Sequence, residues 1–302
     1  MNKSFRSIDE QVEILHLRGI STTAETRTIL LREGYYAVVN GYKLPFIDEA
    51  ATKAAGDDRF LPGTSFDDIY AFFCFDRDLR ALVFRHLMTV EAMMRSVLSY
   101  SFCEAHRGTE DYLHRNCYTS AREYLRDEES FEGDLDWMVN TLEHHARGVE
   151  GEAGITDVRV SHYRRQYDGV PLWVLFNELT FGNLKYFYAL LRKSEQNMAC
   201  SRIWEACGHT GSSPISRRGM LLDLDEMVAV RNICAHEERL YNYSSESETN
   251  LGAFLKKMGL YLTESDYARL IGGATRLSDT CSVQNQPIAR ALAEAGLLGV
   301  GE

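Results

Sequence analysis

Thr64-Ser65-Phe66-Asp67-Asp68-Ile69-Tyr70 opens the stretch that decides the fold. From there to about His106, Ile69, Phe72, Phe73, Leu79, Leu82, Val83, Leu87, Val90, Met94, Val97 and Leu98 recur at steps of three and four. That is the period of an apolar stripe on a helix, and Asp67 and Asp68 suit the positive end of its dipole. Roughly 40 residues make a rod of about 60 Å, so a bend or break is expected within it. Asp76 with Arg80 and Glu91 with Arg95 are acid-to-base pairs at i,i+4. The spacing reads as helix-surface pairing, or, for Glu91 and Arg95, as a layer supporting a site.

The rest of the chain repeats the helical period. Only 5 prolines occur in 302 residues, so helices can run long. Ser7-Ile8-Asp9-Glu10 and Thr22-Thr23-Ala24-Glu25 match capping boxes, each before a short helix ended by Gly19 or Gly34. Between residues 35 and 63, Pro45, Gly56, Pro62 and Gly63 read as loop and turn. Tyr35, Tyr36 and Tyr42 there either pack elements together or stack on bases. Further helices are expected over 134–145, over 171–179 as a buried helix led by Pro171, over 184–191, over 194–207, and after Pro214 through Met220, Leu224 and Met227. Residues 150–154 read as a loop, and 180–184 as a break. Tail helices are expected over 251–258, 264–271 and 287–297. No stretch alternates with period two, so the fold is expected to be all-α. In chain order it reads as an N-terminal helical segment (1–62), a helical core (63–245) and a helical tail (246–302).

Formal net charge is −11, so the overall field repels nucleic acid and any such function needs a local basic site. The seven cysteines are odd in number and irregularly spaced, which reads as reduced thiols. The first residues lack the apolar core of a signal peptide, and no apolar run suits a bilayer. A cytoplasmic protein with no membrane contact is expected. No phosphate-binding or dinucleotide loop is present, and Leu240 breaks any H-E-x-x-H reading of His236-Glu237-Glu238. No metal or cofactor is expected.

The chemistry concentrates in Arg231-Asn232-Ile233-Cys234-Ala235-His236. Arg keeps its charge and presents forked donors to phosphate, and His moves protons near neutrality. RNA carries its own nucleophile, the 2′-hydroxyl, so Arg231 and His236 could cleave it without metal, and DNA is not expected as a substrate. On one helix Asn232 and His236 share a face, while Arg231 and His236 lie roughly 140° apart. Two copies on a two-fold axis could pool both pairs, which predicts a homodimer. Arg159-Val160-Ser161-His162-Tyr163-Arg164-Arg165 is the densest basic and aromatic stretch. Arg159, Arg164, Arg165 and Arg239 are candidate RNA contacts, with a solvated face as the alternative for the first three.

Taken together, these pieces resemble a family. Leu17-Arg18-Gly19-Ile20, Gly34-Tyr35-Tyr36, Gly41-Tyr42, residues 64–70, Phe75-Asp76-Arg77-Asp78-Leu79-Arg80, Leu179-Thr180-Phe181-Gly182-Asn183-Leu184 and the 231–242 segment stand in the order of the Abi-like abortive-infection proteins of bacteria. The resemblance implies a HEPN-type helical bundle and metal-independent ribonuclease activity. Arg231 and His236 would be the catalytic pair, with Asn232 beside them, in a homodimer. Glu91 and Arg95 would support the Arg231 segment. Glu237-Glu238 follow His236 where the family pattern would have a second His or a neutral residue, which bears on substrate scope. A module that binds a structured noncoding RNA or a partner protein without cleaving is the alternative, and such an RNA could also restrain the enzyme.

Overall fold

The computed structural model describes residues 4–147, 158–167, 169–245, 248–283 and 285–301. The loop expected at 150–154 lies outside them. Among the described residues there are thirteen α-helices, short 3-10 and π turns and isolated bridges, with no strand. The all-α expectation is met. Two compact units share the chain. One comprises residues 1–84, 233–256 and 268–302, the other 85–232 and 257–267.

The first unit begins with α1 (Ile8–Leu17), whose Ser7–Glu10 capping box forms as expected. The second expected box does not form at α2 (Thr26–Glu33). The Thr23 amide instead donates to Thr26 Oγ1 at 3.0 Å, and the Thr23 hydroxyl turns toward Asp67. The supposed loop at 35–63 holds a π-helical turn (Tyr36–Asn40), a 3-10 turn (Leu44–Phe46) and α3 (Glu49–Ala55). Pro45 starts the 3-10 turn, Asp48 caps α3, and Gly56 ends it at φ +70°. Turn residues thus punctuate short helices here. Tyr42 is buried, with its ring edge against Phe72 and Phe73, so it packs.

Helix α4 runs from Phe66 to Ala105 without the expected break. No proline or glycine lies inside it to interrupt its hydrogen bonds. The tail contributes α11 (Leu251–Lys257), α12 (Glu264–Ser282) and α13 (Gln286–Glu294). Helix α12 outruns the expected stop near Ile271 and passes through Gly272 and Gly273. Gly273 serves close packing: a Cβ there would come to 2.8 Å from Leu82.

The second unit takes the C-terminal half of α4, four 3-10 turns between Asp111 and Ser130, then α5 (Phe131–Arg147), α6 (Val158–Gln166), α7 (Leu172–Leu175), α8 (Phe181–Leu190), α9 (Lys193–Ala206) and most of α10 (Arg217–Ala235). The expected helix over 171–179 is a single turn. Thr180 caps the next helix with Asn183 as its capping-box partner, so residues 181–184, expected as a break, already belong to α8. Phe102, Phe176 and Phe187 form the aromatic centre, with ring centroids 4.8 and 5.5 Å from Phe187. The rings sit edge-on, the geometry favoured by their quadrupoles.

Candidate functional site

Arg231 and Asn232 occupy the last turns of α10, because Met220, Leu221, Leu224, Met227 and Val230 bury one face and hold the helix to that point. Arg231 belongs to the second unit, and its surroundings there are specific. Its Nη1 donates to Asn232 Oδ1 at 3.2 Å. Its Nε stands 3.9 Å from Glu91 Oε2. Glu91 is buried on α4, and its Oε1 accepts from Arg95. Arg95 also donates to the carbonyl of buried Leu179, at 3.0 Å, in the turn before α8. One buried carboxylate therefore stands between two guanidiniums. The pairing of Glu91 with Arg95 is an interior one, contrary to the helix-surface reading of its i,i+4 spacing. About 28% of the Arg231 side chain stays exposed.

His236 belongs to the first unit and lies one residue past α10. The helix ends in a Schellman turn: the Glu238 amide donates to the Ile233 carbonyl at 3.0 Å, and Glu237 holds φ +56°. Glycine normally takes that left-handed position, and a glutamate there carries strain. His236, Glu237, Glu238 and Arg239 are all exposed. Beyond them the chain dives inward, where the Leu240 and Tyr241 amides donate to Asp76 at 3.0 and 2.7 Å. Burial pushes the Asp76 carboxyl up, against the pull of Tyr42, Arg80 and these amides. Burial also pushes the Cys234 thiol up to about 12, so the cysteine within the motif is a neutral thiol.

Of the candidate RNA contacts, Arg159, Arg164 and Arg165 lie on α6 in the second unit and Arg239 belongs to the first. Arg159 lies 3.5 Å from Glu178. Arg164 pairs with Glu110 at 3.2 Å and donates to the Ala146 carbonyl. Arg165 is exposed, and Arg239 donates to the Gly41 carbonyl at 3.3 Å. Sequence reasoning overlooked Asp76 as a site element. Its signals were the i,i+4 pairing with Arg80, which is common on helix surfaces, and its place in the Phe75–Arg80 segment of the family resemblance.

A family model for Abi-like proteins matches residues 28–242, ending one residue after Tyr241. The chain belongs to the Abi-like protein family. The resemblance read from the sequence is confirmed at that level, and membership points to abortive infection, a bacterial defence against phage. The match takes in Glu91, Arg95 and the whole Arg231–His236 segment. No curated protein and no solved structure matches the chain. Among the described residues, no helix of the family member is long and apolar enough to cross a membrane.

Proposed function

We propose that this Abi-like protein is an endoribonuclease of abortive infection, toxin-like, acting in the cytoplasm on RNA. Arg231 neutralises the charge that builds on the scissile phosphate. His236 takes the 2′-hydroxyl proton or returns one to the leaving 5′-oxygen, and Asn232 orients Arg231. The nucleophile comes from the RNA, so no metal is required, and the products carry a 2′,3′-cyclic phosphate and a 5′-hydroxyl. A homodimer of HEPN-type bundles would pool two Arg231 and two His236 side chains in one cleft. Arg159, Arg164, Arg165 and Arg239 would contact the RNA backbone.

The observation that carries this reading is the seat of Arg231. A buried carboxylate faces its Nε while the side chain keeps solvent access. The arrangement suits an arginine that must meet an anion in one orientation. The test is cleavage of total RNA by purified protein in EDTA, with His236→Ala and Arg231→Ala alongside. Both variants should lose cleavage and cellular toxicity. A His236→Ala protein that still cleaves overturns the mechanism.

A second reading is favoured by Glu237 and Glu238, which are exposed beside His236 in a chain of net charge −11. Under it the protein binds a structured noncoding RNA or a protein partner without cleavage. RNA that co-purifies intact and stays intact supports this reading over the first.

A further inference from the structure

Asp76 is fully buried on α4, and its carboxylate collects four hydrogen bonds. Oδ2 accepts from the Tyr42 hydroxyl at 2.7 Å, Arg80 Nη1 at 2.5 Å and the Leu240 amide at 3.0 Å. Oδ1 accepts from the Tyr241 amide at 2.7 Å. Arg80 Nη1 also donates to the Tyr42 oxygen at 3.0 Å, closing a ring of three side chains. Around this ring the Tyr241 side chain packs on Phe72, at 4.5 Å between centroids. Two of the four bonds go to the backbone of the chain returning from α10, four and five residues after His236.

That placement has a consequence for His236. The chain is tied at one end by the Glu238-to-Ile233 bond and at the other by the Leu240 and Tyr241 amides on Asp76. Only Arg239 lies between these ties, and its side chain is itself turned to the Gly41 carbonyl. Exposed His236 directly follows α10 and lies inside the Glu238-to-Ile233 turn, so its position depends on that turn and on the course that the Asp76-bound amides give the chain beyond it. An aspartate suits the inner tie because both of its oxygens accept. An asparagine would offer one acceptor oxygen and aim an NH2 group at the other donors.

We propose that Asp76 is a positioning residue for His236, acting through the Leu240–Tyr241 backbone. Its effect on cleavage rests on the ribonuclease reading; its effect on the His236 backbone does not.

The double variant Asp76→Asn/Arg80→Met leaves at most one acceptor for the two amides and no buried cation unpaired. Tyr42→Phe is the companion: it removes a hydrogen bond from the same ring but leaves both amides on the carboxylate. Amide exchange, the His236 ring signal in NMR, and RNA cleavage are measured on all three proteins. In the wild type, the Leu240 and Tyr241 amides should be protected as strongly as those inside α10. In the double variant they should exchange roughly tenfold faster or more, the His236 ring signal should move, and kcat should fall by about 100-fold with KM little changed. Tyr42→Phe should lower the unfolding temperature while leaving the His236 signal and kcat near wild type.

Unprotected Leu240 and Tyr241 amides in the wild type overturn the proposal, even if the double variant does not fold. So does an unmoved His236 signal in a folded double variant, or a kcat loss that Tyr42→Phe matches at equal loss of stability. A wild-type protein that cleaves no RNA defeats the ribonuclease reading alone, and the exchange and ring-signal results still decide the role of Asp76.

Discussion

Arg231 Nε and Glu91 Oε2 stand 3.9 Å apart, both buried and neither with a hydrogen-bond partner. A small rotation of Arg231 would close them to bonding distance. At this separation the opposite charges attract, which biases the orientation of the Arg231 guanidinium. Replacing Glu91 by Gln removes the charge facing both Arg231 and Arg95. The expected cost is about 2 kcal/mol of stability, the scale of a hydrogen bond to a charged group. A loss of RNA cleavage of at least about tenfold should accompany it if Arg231 needs that orientation. Thermal unfolding and a cleavage assay on Glu91→Gln check both parts.

Arg231→Lys should separate charge from shape. Lysine keeps the positive charge but has no Nε to face Glu91 and no fork for a phosphate. Cleavage should fall by about two orders of magnitude, while the unfolding temperature stays within a few degrees of wild type. Cleavage that survives this change would mean that charge alone suffices at this position.

Glu237 occupies the left-handed end of α10, where its side chain strains the backbone and puts a negative charge at the negative end of the helix dipole. Glu237→Gly should stabilise the protein by about 1 kcal/mol, raising the unfolding temperature by roughly 2–4 °C. It also removes one carboxylate beside His236, so binding of RNA should tighten. A variant that binds RNA no better shows that this carboxylate does not repel it.

Glu33 ties α2 to α4 through Arg77, with contacts of 2.6 and 3.3 Å. The Arg77 hydrogen bonds hold its carboxyl below the ordinary value of 4.5, against a smaller opposing effect of burial. A depressed folded pKa means that the unfolded chain binds the proton more readily. The stability from this pair is complete above the ordinary value and is lost as pH falls through the depressed one. Glu33→Gln should lower the unfolding temperature at pH 7 and flatten the fall in stability below about pH 4.5. Unfolding curves across that range, with and without the substitution, test the sign.

Gly252 begins the packing of α11, and its amide donates to the Ala295 carbonyl at 2.9 Å. A Cβ there would meet the Gly296 carbonyl oxygen at 2.1 Å and its carbon at 2.6 Å. Both are backbone atoms, which cannot rotate away as a side chain could. Gly252→Ala should cost about 3 kcal/mol or more, read as a fall in unfolding temperature with no change at the Arg231 site.

Much of this protein is readable from its residue order. The three-and-four spacing from Ile69 to Leu98 marks α4, Ser7 and Glu10 mark the start of α1, and Arg231 through His236 mark the candidate chemistry, because each signal is local and repeats within one element. The expected helix stop near Gly272 fails for a different reason. Glycine permits a helix end, but it equally permits Leu82 to approach α12, and only the packing decides between the two. The acid-to-base pairs show the same limit more sharply. Asp76 with Arg80 and Glu91 with Arg95 share one spacing with any exposed pair. Tertiary structure alone buries them, sets Glu91 against Arg231 and hands Asp76 the amides of Leu240 and Tyr241. A spacing of four residues places two charges on one helix face but carries no information about what covers that face. The covering elements come from 34 residues away for Tyr42 on Asp76 to 165 for Tyr241, and they turn a surface pattern into a buried, directional contact.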